Sequence, residues 1–161
     1  MVSMFNNCSD LKDLILLKFN TSSVQKMDLM FYNCNSILSL NLSNFDTKKV
    51  DSMSKMFENC NSLIILDLSS FDTSLVTDMT SMFSGCTDLE FLNILKFSEK
   101  NLLNYTNHTN YTNIFDSIRE NILFCLNNNI NKEKSDISFS KDLNLRKCKK
   151  IFVYIIGKII K

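Results

Sequence analysis

The chain has 161 residues, enough for one domain with a substantial core, and a hydrophobic share of 45% that suits a globular protein. Eighteen basic residues face 17 acidic ones, so the net charge of +1 supplies no global field to draw in nucleic acid or an anionic membrane. Proline is absent and glycine occurs twice, which leaves the turns to Asn, Asp and Ser.

No basic stretch followed by an apolar run opens the sequence, so no secretory signal is visible. Met1 instead begins a 26-residue phrase that returns at Met27, Met53 and Met79. A fixed period of this size marks a repeat architecture, in which each unit buries its apolar face against its neighbours. Because the sequence starts inside the pattern, either it is a piece of a longer array, the reading favoured, or its uncapped N-terminal end is sticky; neighbouring repeats or a second copy would associate there.

Within each copy the columns have distinct physical roles. Leu11, Ile37, Leu63 and Leu89 are followed by Leu14, Leu40, Leu66 and Leu92, and those by Leu16, Leu42, Leu68 and Ile94. The last two columns alternate with the period of a half-buried strand. Phe19, Phe45, Phe71 and Phe97 come next, ahead of a polar turn carrying Asn20, Asp46, Asp72 and Ser98. Val24, Val50, Val76 and Leu102 then lead into the Met columns and the pairs Met30-Phe31, Met56-Phe57 and Met82-Phe83. Their spacing of three and four predicts a short helical or 3-10 segment, with Asp or Thr as its cap. The fold class expected is α/β: a leucine-rich-repeat solenoid with parallel strands on one face and short helical or 3-10 segments on the other.

The phrases NLSNFDTKKVDSMSKMFENCNSL and DLSSFDTSLVTDMTSMFSGCTDL resemble the leucine-rich repeats of BspA-type surface proteins of bacteria and protist parasites. The resemblance covers residues 1 to about 102 in register. It implies a leucine-rich-repeat fold and a cell-surface or extracellular protein engaged in adhesion or host interaction.

The domain boundaries follow from where the columns fail. Residues 1–102 hold the four repeats, and 103–126 read as a degenerate capping repeat with an inserted loop. There Ile114-Phe115 replaces the Met-Phe pair and ILFCL, from Ile122 to Leu126, reads as a last strand. Residues 127–161 form a polar tail that ends in the apolar run within KKIFVYIIGKIIK. That run is shorter than the ~20 residues a spanning helix needs. Membrane association through 151–161 and packing of a terminal element on the repeat end are both open to it.

The chemistry-bearing residues yield no catalytic or metal constellation and call for no cofactor. Cys8, Cys34, Cys60 and Cys86 recur once per repeat and read as a buried column of free thiols. Cys125 and Cys148 stand apart and pair only in an oxidising compartment. His108 is the single histidine, with no nucleophile or orienting partner at a useful spacing. Asp46 and Asp72 suit turns better than calcium, since Asn20 and Ser98 share their column. Consecutive glycosylation sequons begin at Asn104, Asn107 and Asn110.

Function then falls to the strand face. Alternation directs Ile15, Leu17, Asn41, Ile65, Asp67, Phe91, Asn93 and Leu95 away from the core, and these are the candidate partner-binding residues. The expectation is a non-enzymatic module that recognises a protein or glycan through this face, with a structural spacer or intracellular scaffold as the alternative.

Overall fold

The computed structural model describes residues 1–16, 18–98, 114–118 and 122–125. Four short strands form one parallel sheet in chain order: β1 (Ser39–Leu40), β2 (Ile65–Asp67), β3 (Phe91–Asn93) and β4 (Leu123–Cys125). Register follows the repeat, with Leu40 beside Leu66, Leu66 beside Leu92 and Leu92 beside Phe124. The strand line expected from the Leu columns is thus present, and its last member lies in the stretch ILFCL.

A second line of contact runs on the other side of the core. Lys26, Ser52 and Asp78 pair in parallel, and beyond them alternate residues of one unit donate their N–H groups to the next. Met27 donates to Ser52 O, Leu29 to Ser54 O, Phe31 to Met56 O and Asn33 to Glu58 O, at 2.9–3.0 Å. The residues between them close turns within their own unit, Tyr32 onto Leu29 and Cys34 onto Phe31, both at 3.2 Å.

This pattern replaces the predicted helix. No helix or 3-10 segment occurs among the described residues; the Met-Phe stretches are runs of turns. An α-helix sends every interior N–H four residues back along its own chain, whereas here every second N–H leaves for the neighbouring unit. Left-handed residues at Leu29 and Asn33, and again at Lys55 and Asn59, with φ of 57–60°, break the helical path twice per unit. Sequence spacing cannot tell the two apart, because successive turns also bring positions three and four apart to one side.

Between the two lines lies one continuous core. Leu66, Leu68, Phe71, Val76, Met79, Met82, Phe83 and their counterparts in neighbouring units are buried. Phe5, Phe31, Phe57, Phe83 and Phe115 form an unbroken pile of nearly parallel rings, with centroids 5.4–5.9 Å apart. Phe115 enters this pile and Ile114 O accepts the Phe83 N–H, so the Ile114-Phe115 pair takes the place of Met-Phe. Offset stacking of this kind adds about 0.5–1.5 kcal/mol per pair beyond area burial.

Candidate functional site

Ladders of polar side chains hold the units in register beneath the candidate face. Thr21 donates its hydroxyl to Asp46 O at 3.0 Å and accepts the Asp46 N–H at 2.8 Å. Thr47 does the same with Asp72, at 2.9 and 2.8 Å, and Thr73 accepts the Ser98 N–H at 2.8 Å. These threonines are buried, and each clamp satisfies main-chain groups of the next unit that are partly shielded from water. Asn33 and Asn59 extend a further ladder, each donating its amide to the asparagine of the preceding unit, Asn7 and Asn33, at 2.8–2.9 Å.

The turn aspartates are accounted for by local bonding. Asp46 accepts the Lys48 N–H at 3.2 Å and Asp72 the Ser74 N–H at 2.9 Å, as Asn20 accepts that of Ser22 at 3.1 Å. Backbone and hydroxyl donation from Ser74 holds the Asp72 carboxyl below its ordinary range, against the opposing effect of burial. Among the described residues no three His, Cys, Asp or Glu side chains gather closely enough to hold a metal ion.

Cys34, Cys60 and Cys86 are buried free thiols, and Cys8 is half-buried and free. Each buried thiol donates to the phenylalanine carbonyl of the preceding unit, Phe5, Phe31 and Phe57, at 3.1 Å. Burial, joined at Cys34 and Cys60 by the neighbouring sulfurs, raises all three: Cys34 to about 11, Cys86 to about 12 and Cys60 further still. A thiol held protonated and enclosed is a poor nucleophile and metal ligand. Cys125 differs from the column in being disulfide-bonded; Cys148 lies outside the described residues, as do His108, Asn104, Asn107, Asn110 and the apolar run at 151–156.

The candidate strand face is divided. Ile15 is 83% exposed, Leu95 is 36% exposed and Asn41 is exposed, while Leu17 lies outside the described residues. Asp67 is half-buried. Ile65, Phe91 and Asn93, expected to be open, are buried instead, at 7%, 1% and 7% exposure. Alternation correctly separates the main core from its reverse side, but it carries no information about what lies over that reverse side.

The polar column on this face has a structural duty that sequence reasoning missed. Asn41 accepts the Ser43 N–H and hydroxyl at 3.2 and 2.7 Å, Asp67 the Ser69 N–H at 2.9 Å and Asn93 the Leu95 N–H at 3.3 Å. Each closes the turn that ends its strand. The signal was present as an Asn or Asp at the end of the strand pattern, Asn41, Asp67 and Asn93, a residue type that favours such turns. The exposed apolar residues missed by alternation are Val2, Met4, Leu38 and Leu75, which lie off the strand face or ahead of it.

A family model described as a Mycoplasma protein of unknown function, DUF285, matches residues 1–122. No curated protein and no solved structure matches the chain.

Proposed function

The chain belongs to the DUF285 family, and on that footing we propose that it is a non-enzymatic recognition module: a leucine-rich-repeat solenoid of the BspA type, displayed at the cell surface. The open part of its strand face meets a protein or glycan ligand. The observation that carries this reading is Ile15, a large apolar side chain 83% exposed one repeat period ahead of Asn41. Exposed Asn41 stands on the same face in the next unit, and Leu38 is exposed at the approach to β1. A rigid frame with a hydrophobic anchor and nearby amides matches what protein and sugar surfaces require of a binding site.

The test is adhesion of purified, fluorescently labelled protein to host cells and to immobilised matrix. The combination Ile15→Ser, Asn41→Ala and Leu95→Ser changes only exposed side chains. It should abolish specific adhesion while leaving the melting transition within a few degrees of the parent. Full adhesion by this variant would exclude the open strand face as the recognition surface.

A further inference from the structure

The joint between the first two units is made on one side only. Away from the sheet it is complete: Ser3, Phe5 and Asn7 donate their N–H groups to the carbonyls of Asp28, Met30 and Tyr32 at 2.8–2.9 Å. On the strand side the later joints are bonded too. Ile64 donates to Leu38 O and Glu90 to Ile64 O, both at 2.9 Å, and Leu68 donates to Asn93 O at 2.8 Å. Their equivalents one or two units earlier, from Leu38 to Lys12 O and from Leu16 to Asn41 O, are not formed. No backbone bond and no strand pairing joins residues 9–16 to residues 36–43, all of which are described.

The sequence accounts for this gap. Asp10, Lys12 and Asp13, all exposed, stand where the second unit has Ser36, Leu38 and Ser39, and charged side chains oppose strand pairing. Packing is looser to match. Leu11 and Leu14 are half-buried, whereas Ile37, Leu63 and Leu89 in the first column and Leu66 and Leu92 in the second are fully buried. β1 thus keeps an open edge, with Leu38 N–H and Asn41 C=O lacking backbone partners among the described residues and the Leu38 side chain 45% exposed.

We propose that this edge takes up an extended segment of a protein ligand as an added parallel strand, in the place that residues 10–15 hold without a backbone bond to the second unit. The proposal rests on the recognition reading above and narrows its ligand from protein or glycan to protein. What selects the ligand is the spacing of the open groups. A polypeptide repeats its N–H and C=O about every 6.7 Å along one side, the interval at which the later strands answer one another; a sugar chain carries no such series. Main-chain bonds then supply affinity, and an apolar side chain at alternate positions fills the half-packed place of Leu14.

The experiment uses the full chain, labelled with nitrogen-15, and a synthetic peptide with the sequence of residues 35–47, NSILSLNLSNFDT, a stretch that already lies against the next strand in the sheet. In the free protein the Leu38 amide should exchange with solvent at least about tenfold faster than those of Ile64 and Glu90. Saturating peptide should slow Leu38 to their level and leave those two unchanged. A peptide methylated on the nitrogen of its sixth-from-last residue, the leucine matching Leu16 and Leu42, cannot donate to Asn41 O and should bind about tenfold more weakly. A Leu38 amide already as slow as Ile64 in the free chain, exchange that the peptide leaves unaltered, or equal binding of the methylated peptide each overturns the proposal. Adhesion is not read in these assays: loss of adhesion in the Ile15→Ser, Asn41→Ala, Leu95→Ser variant together with failure of the peptide would keep the recognition surface and exclude strand addition.

Discussion

Left-handed backbone positions recur in every unit, and side chains other than glycine occupy most of them. Ser81 is buried and has φ 55°, a conformation that costs an L-residue about 1–2 kcal/mol. Ser81→Gly relieves that cost and gives back part of it through a freer unfolded chain. The net expectation is a gain of about 0.5–1 kcal/mol in urea unfolding, whereas β-branched Ser81→Val should lose stability. Gly85 is the reverse case. At φ 74° a Cβ would clash with Asn59 Oδ1, so Gly85→Ala must displace the amide that donates to Asn33. A loss of about 1–2 kcal/mol is expected from the backbone alone, read as a lower urea midpoint. The thiol column supplies a pH signature. An exposed thiol loses its proton near 9.0, but the folded chain keeps that of Cys34 to about 11 and that of Cys86 to about 12. The folded state therefore holds more protons than the unfolded one between these values. Its stability is complete below pH 9 and declines as pH rises through about 11. Urea midpoints measured at intervals from pH ~8 to pH ~11 should fall, and replacing Cys34, Cys60 and Cys86 together by Ala should flatten the slope.

At the scale of elements, the threonine clamp decides how firmly one unit grips the next. Thr47→Val keeps the shape but strands the Asp72 N–H and C=O, a cost of about 1–3 kcal/mol. Thr47→Ser retains the hydroxyl and should recover most of the loss, both read by thermal unfolding. The same elements show how far sequence carries. The Leu columns announce the strands because a period of two is peculiar to extended chain, and Leu66 and Leu92 pair as that period requires. The Met-Phe stretch reads as helical because apolar spacing reports which side of the chain faces inward, not where its N–H groups go. Only the diversion of the Leu29 and Phe31 N–H groups to the neighbouring unit separates turns from helix. The strand face was legible in the same partial way. Ile15 is open as alternation implies, while Phe91 is buried in a separate cluster with Ile65, Leu123 and Cys125.

Across the whole molecule, stability is carried by contacts that repeat. Phe57 is fully buried between Phe31 and Phe83 at 5.6 and 5.9 Å. Phe57→Ala interrupts the pile at its centre and should cost about 3–5 kcal/mol, with loss of cooperativity visible as a broadened melt. Deleting residues 53–78 removes one full period and rejoins Ser52 to Met79. Since the cross-unit bonds recur with the 26-residue period, as when Leu29 donates to Ser54 O and Lys55 to Thr80 O, the donors left after the deletion meet equivalent acceptors. The shortened protein should fold with a single cooperative transition and a lower midpoint, whereas removing only 53–65 should leave it unfolded by circular dichroism. The recurrence of cross-unit bonds, forward from Leu29 to Ser54 and from Lys55 to Thr80, and back from Asp51 to Gln25 and from Thr77 to Asp51, has a consequence for how such a protein changes size. Because every joint repeats the same set of forward and backward donations, a module can be added or removed at any joint without redesigning the joint. Gene duplication thus acts on this chain as a ruler graduated in steps of ~4.8 Å: the sheet can be lengthened mark by mark while its outward-facing residues vary freely.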